Sequence, residues 1–246
     1  MTLRAAVVGD GAMGATVADA WRAAGHEVAA VLGRSDPLER ARGCDVAFEL
    51  TRPEAAAGNV EGLLRLEVPT VCGTTGWDPE PAARLAGELR VPLLVAPNFS
   101  LGVAVLRALG AEAARRLAPF PAFEPGLVER HHSRKRDSPS GTARMLAAEV
   151  SRHRGGEAPP VVALRQGGQP GEHRLVFEGP DETVELVHRA RSRRVFAEGA
   201  VRAAEWLAAE RPPGFVTFER FLEASAAGGP GPPSGGAPPP PSPGRS

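Results

Sequence analysis

The sequence Gly9-Asp10-Gly11-Ala12-Met13-Gly14 follows a short apolar run, Leu3 to Val8, and precedes a helix-like segment, residues 12–24. A G-x-G-x-x-G turn between a strand and a helix is typical of loops that bind the pyrophosphate of a dinucleotide. The first glycine permits the tight turn, the second lets the backbone approach the phosphates, and the third lets helix and strand pack closely. We assign all six residues to cofactor binding; the alternative for this motif alone is a glycine-rich turn without a ligand.

Short apolar runs and helix-like segments alternate through the first hundred residues. Further strands are predicted at 28–32, 46–50, 70–72 and 91–96, and further helices at 53–66 and 79–89. Alternating strands and helices with short loops form a parallel sheet with right-handed crossovers. The sequence therefore predicts an α/β protein with a Rossmann-like, doubly wound parallel sheet, and a dinucleotide-binding domain over residues 1–101.

The alternation ends after Gly102. The pattern there predicts a helix over 103–117, a strand ending near Glu129, a helix that begins at Pro139 with Ser138 as its N-cap, and three successive strands at 161–164, 173–177 and 183–189. Successive strands of this kind form an antiparallel, open sheet, and such a sheet is usually covered by another subunit. We expect a smaller α+β domain over residues 102–194.

The C-terminal residues 225–246 are mostly proline and glycine. Such a segment cannot bury enough apolar surface to offset the entropy lost on ordering, so it is predicted to be disordered.

The composition excludes several classes of protein. The 246 residues carry 29 basic and 29 acidic side chains, so no nucleic-acid partner is expected. No apolar run approaches the ~20 residues of a transmembrane helix, and the first apolar run is too short for a signal peptide. Cys44 and Cys72 have neither disulfide-framework nor metal-ligand spacing. We expect a cytoplasmic protein with no membrane partner and no metal.

The choice between the two nicotinamide nucleotides depends on the end of the second strand. NAD-selective sites usually place a carboxylate there for the ribose 2′-hydroxyl. Here Leu32 is followed by Gly33, Arg34 and Ser35, and Arg34 is placed to face a 2′-phosphate. The sequence therefore favours NADPH over NADH, although Asp36 is close enough to turn inward.

The stretch from Glu129 to Thr142 reads E-R-H-H-S-R-K-R-D-S-P-S-G-T and holds the only lysine of the chain, Lys135. Arginine cannot release a proton near neutral pH, whereas a lysine among other cations can, and histidine titrates in that range. Ser140-Gly141-Thr142, at the start of a helix, would offer N–H groups and hydroxyls to a carboxylate. The alternative is a solvated basic turn. Adjacent histidines on a strand point to opposite faces, which argues against metal chelation by the pair.

This stretch resembles the signature E-x-H-H-x-x-K-x-D-x-P-S-G-T of the 4-hydroxy-tetrahydrodipicolinate reductases, also called dihydrodipicolinate reductases. Further segments agree in the same order: G-T-T-G at 73–76, A-P-N-F-S at 96–100, G-E-H at 171–173, and the stretch from His188 to Arg202. The resemblance runs from the first strand to about Leu222.

The resemblance implies reduction of 4-hydroxy-tetrahydrodipicolinate to tetrahydrodipicolinate with NADPH or NADH and loss of water, on the diaminopimelate route to lysine. His131 matches the general acid/base of the family, and Lys135 matches its second catalytic residue. Residues matching the substrate-dicarboxylate site are His132, Ser140, Gly141 and Thr142. Residues matching the loops at the nicotinamide end are Gly73, Thr74, Thr75, Ala96, Pro97, Asn98 and Phe99.

The resemblance also implies an architecture. The smaller domain would have an open mixed sheet through which four copies assemble into a homotetramer, and the last helix and strand, about 195–224, would pack back on the first domain. Two other functions remain as alternatives from the sequence. One is another two-domain NAD(P)-dependent reductase, such as an aspartate dehydrogenase; the other is a non-catalytic NADP(H)-binding sensor.

Overall fold

The computed structural model describes residues 1–227. The first part alternates strands and helices: β1 Arg4–Val8, α1 Ala12–Ala23, β2 Glu27–Leu32, a 3-10 turn Leu38–Ala41, β3 Val46–Glu49, α2 Pro53–Arg65, β4 Thr70–Cys72, α3 Glu80–Leu89 and β5 Leu93–Val95. The second part consists of α4 Leu101–Leu117, β6 Glu124–His131, α5 Gly141–Arg154, β7 Val161–Arg165, β8 Gly171–Glu178, β9 Thr183–Ala190, α6 Arg194–Glu210, β10 Phe215–Thr217 and α7 Phe218–Ala226.

The first sheet has the strand order β10-β5-β4-β3-β1-β2, and its neighbouring strands are all parallel. Strands with both faces covered by helices are apolar throughout, and residues 5–8 of β1 are all buried. Alternate residues of β3 belong to different sides of the core. Phe48 packs on the side that holds Trp21 of α1, and Ala47 on the side that holds Leu63 of α2. The predicted doubly wound α/β sheet is confirmed.

The second sheet has the order β7-β6-β8-β9 and is mixed, as the resemblance implies. The strands β6, β8 and β9 pair antiparallel, whereas β7 pairs parallel with β6. The sequence pattern predicts that the three successive strands β7, β8 and β9 form an antiparallel sheet, and this prediction is wrong for β7. The helix α5 lies between β6 and β7 in the chain, and a helical crossover joins parallel neighbours.

The helix after β6 begins two residues later than the sequence pattern predicts. Its N-cap is Ser140, whose side chain accepts a hydrogen bond from the N–H of Ala143, and its first helical residue is Gly141. Ser138 and Pro139 therefore precede the helix. The actual cap satisfies a backbone donor in the first turn, which is the role that the sequence assigned to Ser138.

The segment after β9 contacts the first domain. Small residues of α6 pack in the core cluster that contains Trp21 and Phe48, and β10 extends the first sheet beside β5. Gly199 of α6 lies against the backbone of Phe99, where an added Cβ would be 1.8 Å from the carbonyl oxygen. Only glycine fits this close approach, which brings α6 against the loop after β5.

The segment 225–246 is predicted to be disordered, and its residues 228–246 lie outside the described part of the chain. Its first two residues belong to the end of α7, which extends to Ala226. Within residues 1–227, none of the helices combines the length and apolar character that a membrane span requires.

Candidate active site

A cavity of about 740 Å³ separates the parallel sheet from the mixed sheet. The loops that follow β4 and β5 form one wall, as expected for a doubly wound sheet, whose ligands lie at the carboxyl ends of its strands. The loop between β6 and α5 forms the opposite wall. The structure places both predicted catalytic residues and all four predicted substrate residues in this cavity: His131, Lys135, His132, Ser140, Gly141 and Thr142.

A second cavity of about 460 Å³ lies at the glycine loop, between the ends of β1 and β2. Gly9 has φ +119°, and an added Cβ would be 2.5 Å from the carbonyl oxygen of Leu50. An added Cβ on Gly14 would be 1.9 Å from the carbonyl oxygen of Gly9. Gly11, by contrast, has nothing within 4 Å of its Cβ position. The loop is closed on its protein side and open at Gly11, at the N-terminus of α1. This open, donor-rich position fits the pyrophosphate of a dinucleotide.

The residues predicted to bind the cofactor divide into three groups. Those lining the cavity between the sheets are Met13, Gly73, Thr75, Pro97, Asn98 and Phe99. Those lining the cavity at the glycine loop are Gly9, Asp10, Gly11 and Arg34. The remaining four, Ala12, Gly14, Thr74 and Ala96, line neither cavity. Thr74 accepts a hydrogen bond from the N–H of Thr51 through its hydroxyl, so its side chain holds the loop after β3.

At the end of β2 the carboxylate of Asp36 is held by two donors. It accepts the backbone N–H of Gly33 at 2.8 Å and a guanidinium N–H of Arg40 at 2.7 Å. Arg34 and Arg52 both line the adjoining cavity. The cavity at the glycine loop is therefore lined by a carboxylate that is already paired and by two arginines.

His131 lies at the end of β6, and its Nδ1 is hydrogen-bonded to the carboxylate of Glu129 two residues earlier on the same strand face. Its Nε2 is beside Gly171, another residue of the cavity wall, where an added Cβ would be 3.1 Å from that nitrogen. Burial lowers the pKa of His131, and the charges of Lys135 and Arg165 lower it further, while Glu129 opposes them.

Lys135 follows in the loop after β6. Its ammonium forms an ion pair with Asp137 at 2.7 Å, and 23% of its side chain is exposed. Burial raises the pKa of Asp137, but the hydrogen bond and charge of Lys135 outweigh that effect and hold the pKa below its ordinary value. The ammonium is thus fixed at the cavity wall by a carboxylate that stays ionised.

The start of α5, where the sequence predicts an anion site, lies on the cavity wall. The backbone N–H groups of Gly141 and Thr142 belong to its first turn, where N–H groups have no partner inside the helix. The hydroxyl of Thr142 accepts a hydrogen bond from the amide of Asn98 at 3.1 Å. This bond joins the loop after β5 to α5 across the cavity.

Two further histidines of the site, one buried and one half-buried, were given no role by the sequence analysis. His173 of β8 and His188 of β9 both line the cavity, and each places Nε2 within hydrogen-bond distance of a serine hydroxyl. The distances are 3.3 Å to Ser140, the N-cap of α5, and 3.4 Å to Ser100, the N-cap of α4. Both histidines lie in segments that carry the family resemblance, which was the only signal for them. Burial, followed by the charge of His131, lowers the pKa of His173 to about 4.

Glu129, His131 and His173 bring three possible metal-ligand atoms within 4.8 Å of one another. Two of these groups are already used by hydrogen bonds, because Nδ1 of His131 contacts Glu129 and Nε2 of His173 contacts Ser140. Glu129 also accepts hydrogen bonds from Arg165 and from the backbone of Ser140. Since the carboxylate has a guanidinium partner, we interpret the cluster as a hydrogen-bond network.

A dinucleotide fold, a glycine loop open to solvent and a cavity closed by a second α+β domain define a class, the two-domain NAD(P)-dependent oxidoreductases. The overall fold matches a probable dehydrogenase from Thermotoga maritima with a TM-score of 0.61 at 11% identity, covering 90% of this chain and 93% of that one. The chain belongs to the dihydrodipicolinate reductase family. The model of the family's N-terminus matches residues 3–99, and that of its C-terminus matches residues 102–222.

Relatives and solved structures of the same family cover most of the chain. The 4-hydroxy-tetrahydrodipicolinate reductase of Archaeoglobus fulgidus is 43% identical over 73% of this chain and 76% of its own. That of Anaeromyxobacter dehalogenans strain 2CP-C is 40% identical over 79% of this chain and 78% of its own. A dipicolinate-bound dihydrodipicolinate reductase from Paenisporosarcina sp. TG-14 has a TM-score of 0.72 at 23% identity, covering 88% of this chain and 98% of that one.

Proposed function

We infer that the chain catalyses the NAD(P)H-dependent reduction of 4-hydroxy-tetrahydrodipicolinate to tetrahydrodipicolinate, with loss of water, in lysine biosynthesis by the diaminopimelate pathway. One observation carries this conclusion. In a chain of the dihydrodipicolinate reductase family, the residues of the signature from His131 to Thr142 and the loops after β4 and β5 line the same cavity. Neither alternative function requires the lysine and histidine of the signature to lie there.

The substrate carries two carboxylates, and the site contains groups that complement them. We propose that the first turn of α5 binds one carboxylate through the backbone N–H groups of Gly141 and Thr142 and the hydroxyl of Thr142. His132 lines the same wall and is placed to contact the substrate. Ser140, which is also predicted to bind the substrate, has its hydroxyl engaged with the N–H of Ala143 and with His173. Its contribution to binding is to fix the helix start.

Reduction of the ring needs a hydride, a proton and stabilisation of negative charge. Elimination of the 4-hydroxyl together with a proton from the neighbouring ring carbon releases water and leaves a C=C bond conjugated with the imine. A bound nicotinamide would supply the hydride to C4 of that bond, and the neighbouring carbon then takes up a proton. We propose that His131 donates the proton to carbon from Nε2, because Nδ1 is engaged with Glu129. Lys135, held by Asp137, provides a fixed positive charge for the carboxylate and imine of the substrate.

We propose NADPH as the preferred reductant. Arg34 and Arg52 line the adenosine end of the site, where a 2′-phosphate would lie. Asp36, the carboxylate that would favour NADH, already accepts hydrogen bonds from Gly33 and Arg40, and Arg40 offsets its charge.

We propose that the protein is a cytoplasmic homotetramer. The reducing cytoplasm agrees with two buried free cysteines, Cys44 and Cys72. One face of the mixed sheet packs on α4 and α5, but the other exposes apolar side chains. Val162 of β7 is 56% exposed, and Leu164 and Val187 are each about 40% exposed. Burial of this face against a second copy would remove them from water.

The function is tested by following NADPH oxidation at 340 nm while dihydrodipicolinate synthase generates the substrate from pyruvate and aspartate semialdehyde. We expect oxidation that depends on the synthase and on both of its substrates. A folded protein that binds NADPH and does not oxidise it under these conditions would overturn the assignment. Light scattering coupled to gel filtration tests the tetramer separately, and a monomeric mass would reject it.

A further inference from the structure

Glu129 is a buried carboxylate next to the site for which neither the sequence nor the chemistry above provides a function. It lies on β6 with 0% of its surface exposed. An ionised carboxylate in such a position needs compensation by charge and hydrogen bonds. Arg165 of β7 supplies both, with one guanidinium nitrogen 2.6 Å from Oε1.

The two oxygens of this carboxylate serve different neighbours. Oε1 accepts from Arg165 and also from the backbone N–H of Ser140 at 3.0 Å. Oε2 is hydrogen-bonded to Nδ1 of His131. Ser140 is the N-cap of α5, so one carboxylate contacts both the proton donor and the start of the helix that faces the substrate.

We propose that Glu129 is the positioning residue of the reductase, acting through His131. Its carboxylate accepts a hydrogen bond from Nδ1–H of His131. This bond fixes the orientation of the imidazole, so that Nε2 stays on the cavity side as the nitrogen that exchanges a proton with the substrate. Through the N–H of Ser140 it also holds the anion-binding start of α5 at a fixed distance from that nitrogen. The inference rests on the proposed function, because the reaction that it serves is the proton transfer by His131.

The ionisation of Glu129 follows from its neighbours. Burial raises the pKa of Glu129, but the hydrogen bonds from Arg165, Ser140 and His131 outweigh burial and hold the pKa below its ordinary value. The carboxylate is therefore charged at neutral pH. A carboxylate charge next to Nδ1 favours the protonated form of the His131 imidazole, as it does for any histidine.

The groups that face His131 come from four elements. Glu129 shares its strand, Lys135 is in the following loop, Arg165 is on β7, and His173 of β8 places its ring centroid 5.2 Å from that of His131. Burial and the two cations lower the pKa of His131, and Glu129 is the group that raises it. Loss of the negative charge at position 129 would therefore lower the pKa of His131 further.

Glu129→Gln separates this role from simple packing, because the side chain keeps its size. The amide oxygen replaces Oε1, since Arg165 and Ser140 both donate there, and this directs the amide N–H₂ at Nδ1 of His131. Two donors then face each other whenever His131 is protonated. We expect kcat to fall by roughly 10²-fold with little change in KM, because the start of α5 keeps its hydrogen bond.

The pH profile is the second readout. A general acid is active below its pKa, so the activity falls as the pH rises through the pKa of His131. In Glu129→Gln this alkaline limb should move to lower pH by about one unit or more. Glu129→Asp retains the charge and should restore part of kcat and of the wild-type profile.

The control is Glu149→Gln, which removes another buried carboxylate from the same domain. Glu149 of α5 pairs with Arg107 of α4 and with Arg152 and His153 of α5, and it does not line the cavity. Its loss should reduce the free energy of unfolding and leave the pH profile in place. Equal profiles for Glu129→Gln and the wild type, in a folded variant with wild-type kcat, would overturn the proposal.

Nitrogen-15 NMR of the histidine side chains provides a test without substrate. We expect the free wild-type protein to hold His131 with the proton on Nδ1, and Glu129→Gln to show the other tautomer and a lower pKa. An unchanged tautomer and pKa in the variant would reject the role of Glu129 whatever the reaction. A wild-type protein with the expected tautomer but no reductase activity would instead reject the proposed function, and with it the catalytic part of this inference.

Discussion

The side-chain amide of Asn98 donates a hydrogen bond to the hydroxyl of Thr142 at 3.1 Å, across the cavity that separates the two sheets. Asn98 is itself fixed, because its carbonyl oxygen accepts the N–H of Ser100 at the start of α4. The contact therefore connects the helix starts of α4 and α5. The distance between the loop after β5 and the start of α5 depends on it.

Thr142→Val removes the acceptor of this bond and keeps the shape of the side chain. We expect KM for the substrate to rise several-fold, with a smaller change in kcat and a loss of about 1 kcal/mol in the free energy of unfolding. Steady-state kinetics and urea unfolding measure the two effects. Thr183→Val is the control, since its hydroxyl contacts only the exposed Glu178 in the β8–β9 hairpin. Wild-type KM in Thr142→Val would contradict the role of this bond.

The glycine loop offers a pair of substitutions with opposite expectations. Gly11 has φ −77° and open space at its Cβ position, so Gly11→Ala should fold normally and obstruct only the approach of the pyrophosphate. Gly14→Ala would place its Cβ 1.9 Å from the carbonyl oxygen of Gly9 and should lower Tm. We expect Gly11→Ala to weaken NADPH binding at least tenfold, roughly the loss of one charge-assisted hydrogen bond.

Calorimetric titration with NADPH and thermal unfolding distinguish the two variants. Unchanged NADPH affinity in Gly11→Ala would mean that the pyrophosphate does not approach the start of α1. An unchanged Tm in Gly14→Ala would mean that α1 is not packed against the loop as closely as the structure has it.

The cofactor preference depends on charges at the end of β2. Arg34→Ala should raise KM for NADPH by roughly tenfold and leave KM for NADH nearly unchanged, because only NADPH carries a 2′-phosphate. Asp36→Ala should not reduce the preference for NADPH, since it frees Arg40. Parallel kinetics with the two nucleotides measure the ratio. An equal effect of Arg34→Ala on both nucleotides would reject the contact with a 2′-phosphate.

His173 should make the protein less stable in mild acid. Its pKa is about 4 in the folded protein, below the ~6.5 of an exposed histidine, so the unfolded chain binds the additional proton between these values. Stability therefore falls as the pH decreases from about 6.5 to about 4, by an amount on the order of 3 kcal/mol for this residue.

Urea unfolding of the wild type and of His173→Gln across that range measures the difference. The variant should show a flatter dependence on pH between 6.5 and 4. The carboxylates with lowered pKa, Glu129 and Glu149, lose their contribution at lower pH, below their ordinary range near 4.5. Equal slopes for the two proteins above pH 4 would show that His173 is not held neutral by burial.

The sequence predicted most of the first domain and less of the second. The order of strands and helices through β5 follows from apolar runs and glycine turns, which are local signals. The parallel pairing of β7 with β6 is set by the crossover through α5, and an apolar pattern does not encode strand direction. The start of α5 was misplaced by two residues because Ser138 and Ser140 are both acceptable N-caps.

The same distinction between local signals and contacts of distant residues holds for the candidate site. The positions of His131 and Lys135 in the cavity were expected from the resemblance, and the glycine loop from its motif. The i, i+2 spacing of Glu129 and His131 places both on one face of a strand, but the contacts of Glu129 with Arg165 and of His173 with Ser140 join residues far apart in the chain, so no spacing in the sequence indicates them. Arg165 in particular lies outside every segment that carries the resemblance, and only the parallel β6–β7 register brings it beside Glu129.

Lys135 provides the most direct test of the catalytic site, because it is the only lysine of the chain. Lys135→Ala removes the ammonium from the cavity wall and leaves Asp137 without its ion pair. We expect kcat to fall by roughly 10²-fold or more while Tm changes little, since the loop after β6 is held by other bonds, including Arg165 to the carbonyl of Asp137. Arg84→Ala, which removes an exposed arginine on α3, is the matched control for loss of a positive charge.

A lysine-directed reagent extends this test to the unmodified protein. Acylation can modify only Lys135 and the N-terminal amine, and mass spectrometry identifies which of them has reacted. Modification of Lys135 should abolish NADPH oxidation, and NADPH together with a dicarboxylate such as dipicolinate should protect it by covering the ammonium in the cavity. Full activity after complete modification of Lys135, or near-wild-type kcat in Lys135→Ala, would show that the proton and charge required by the reaction come from another group.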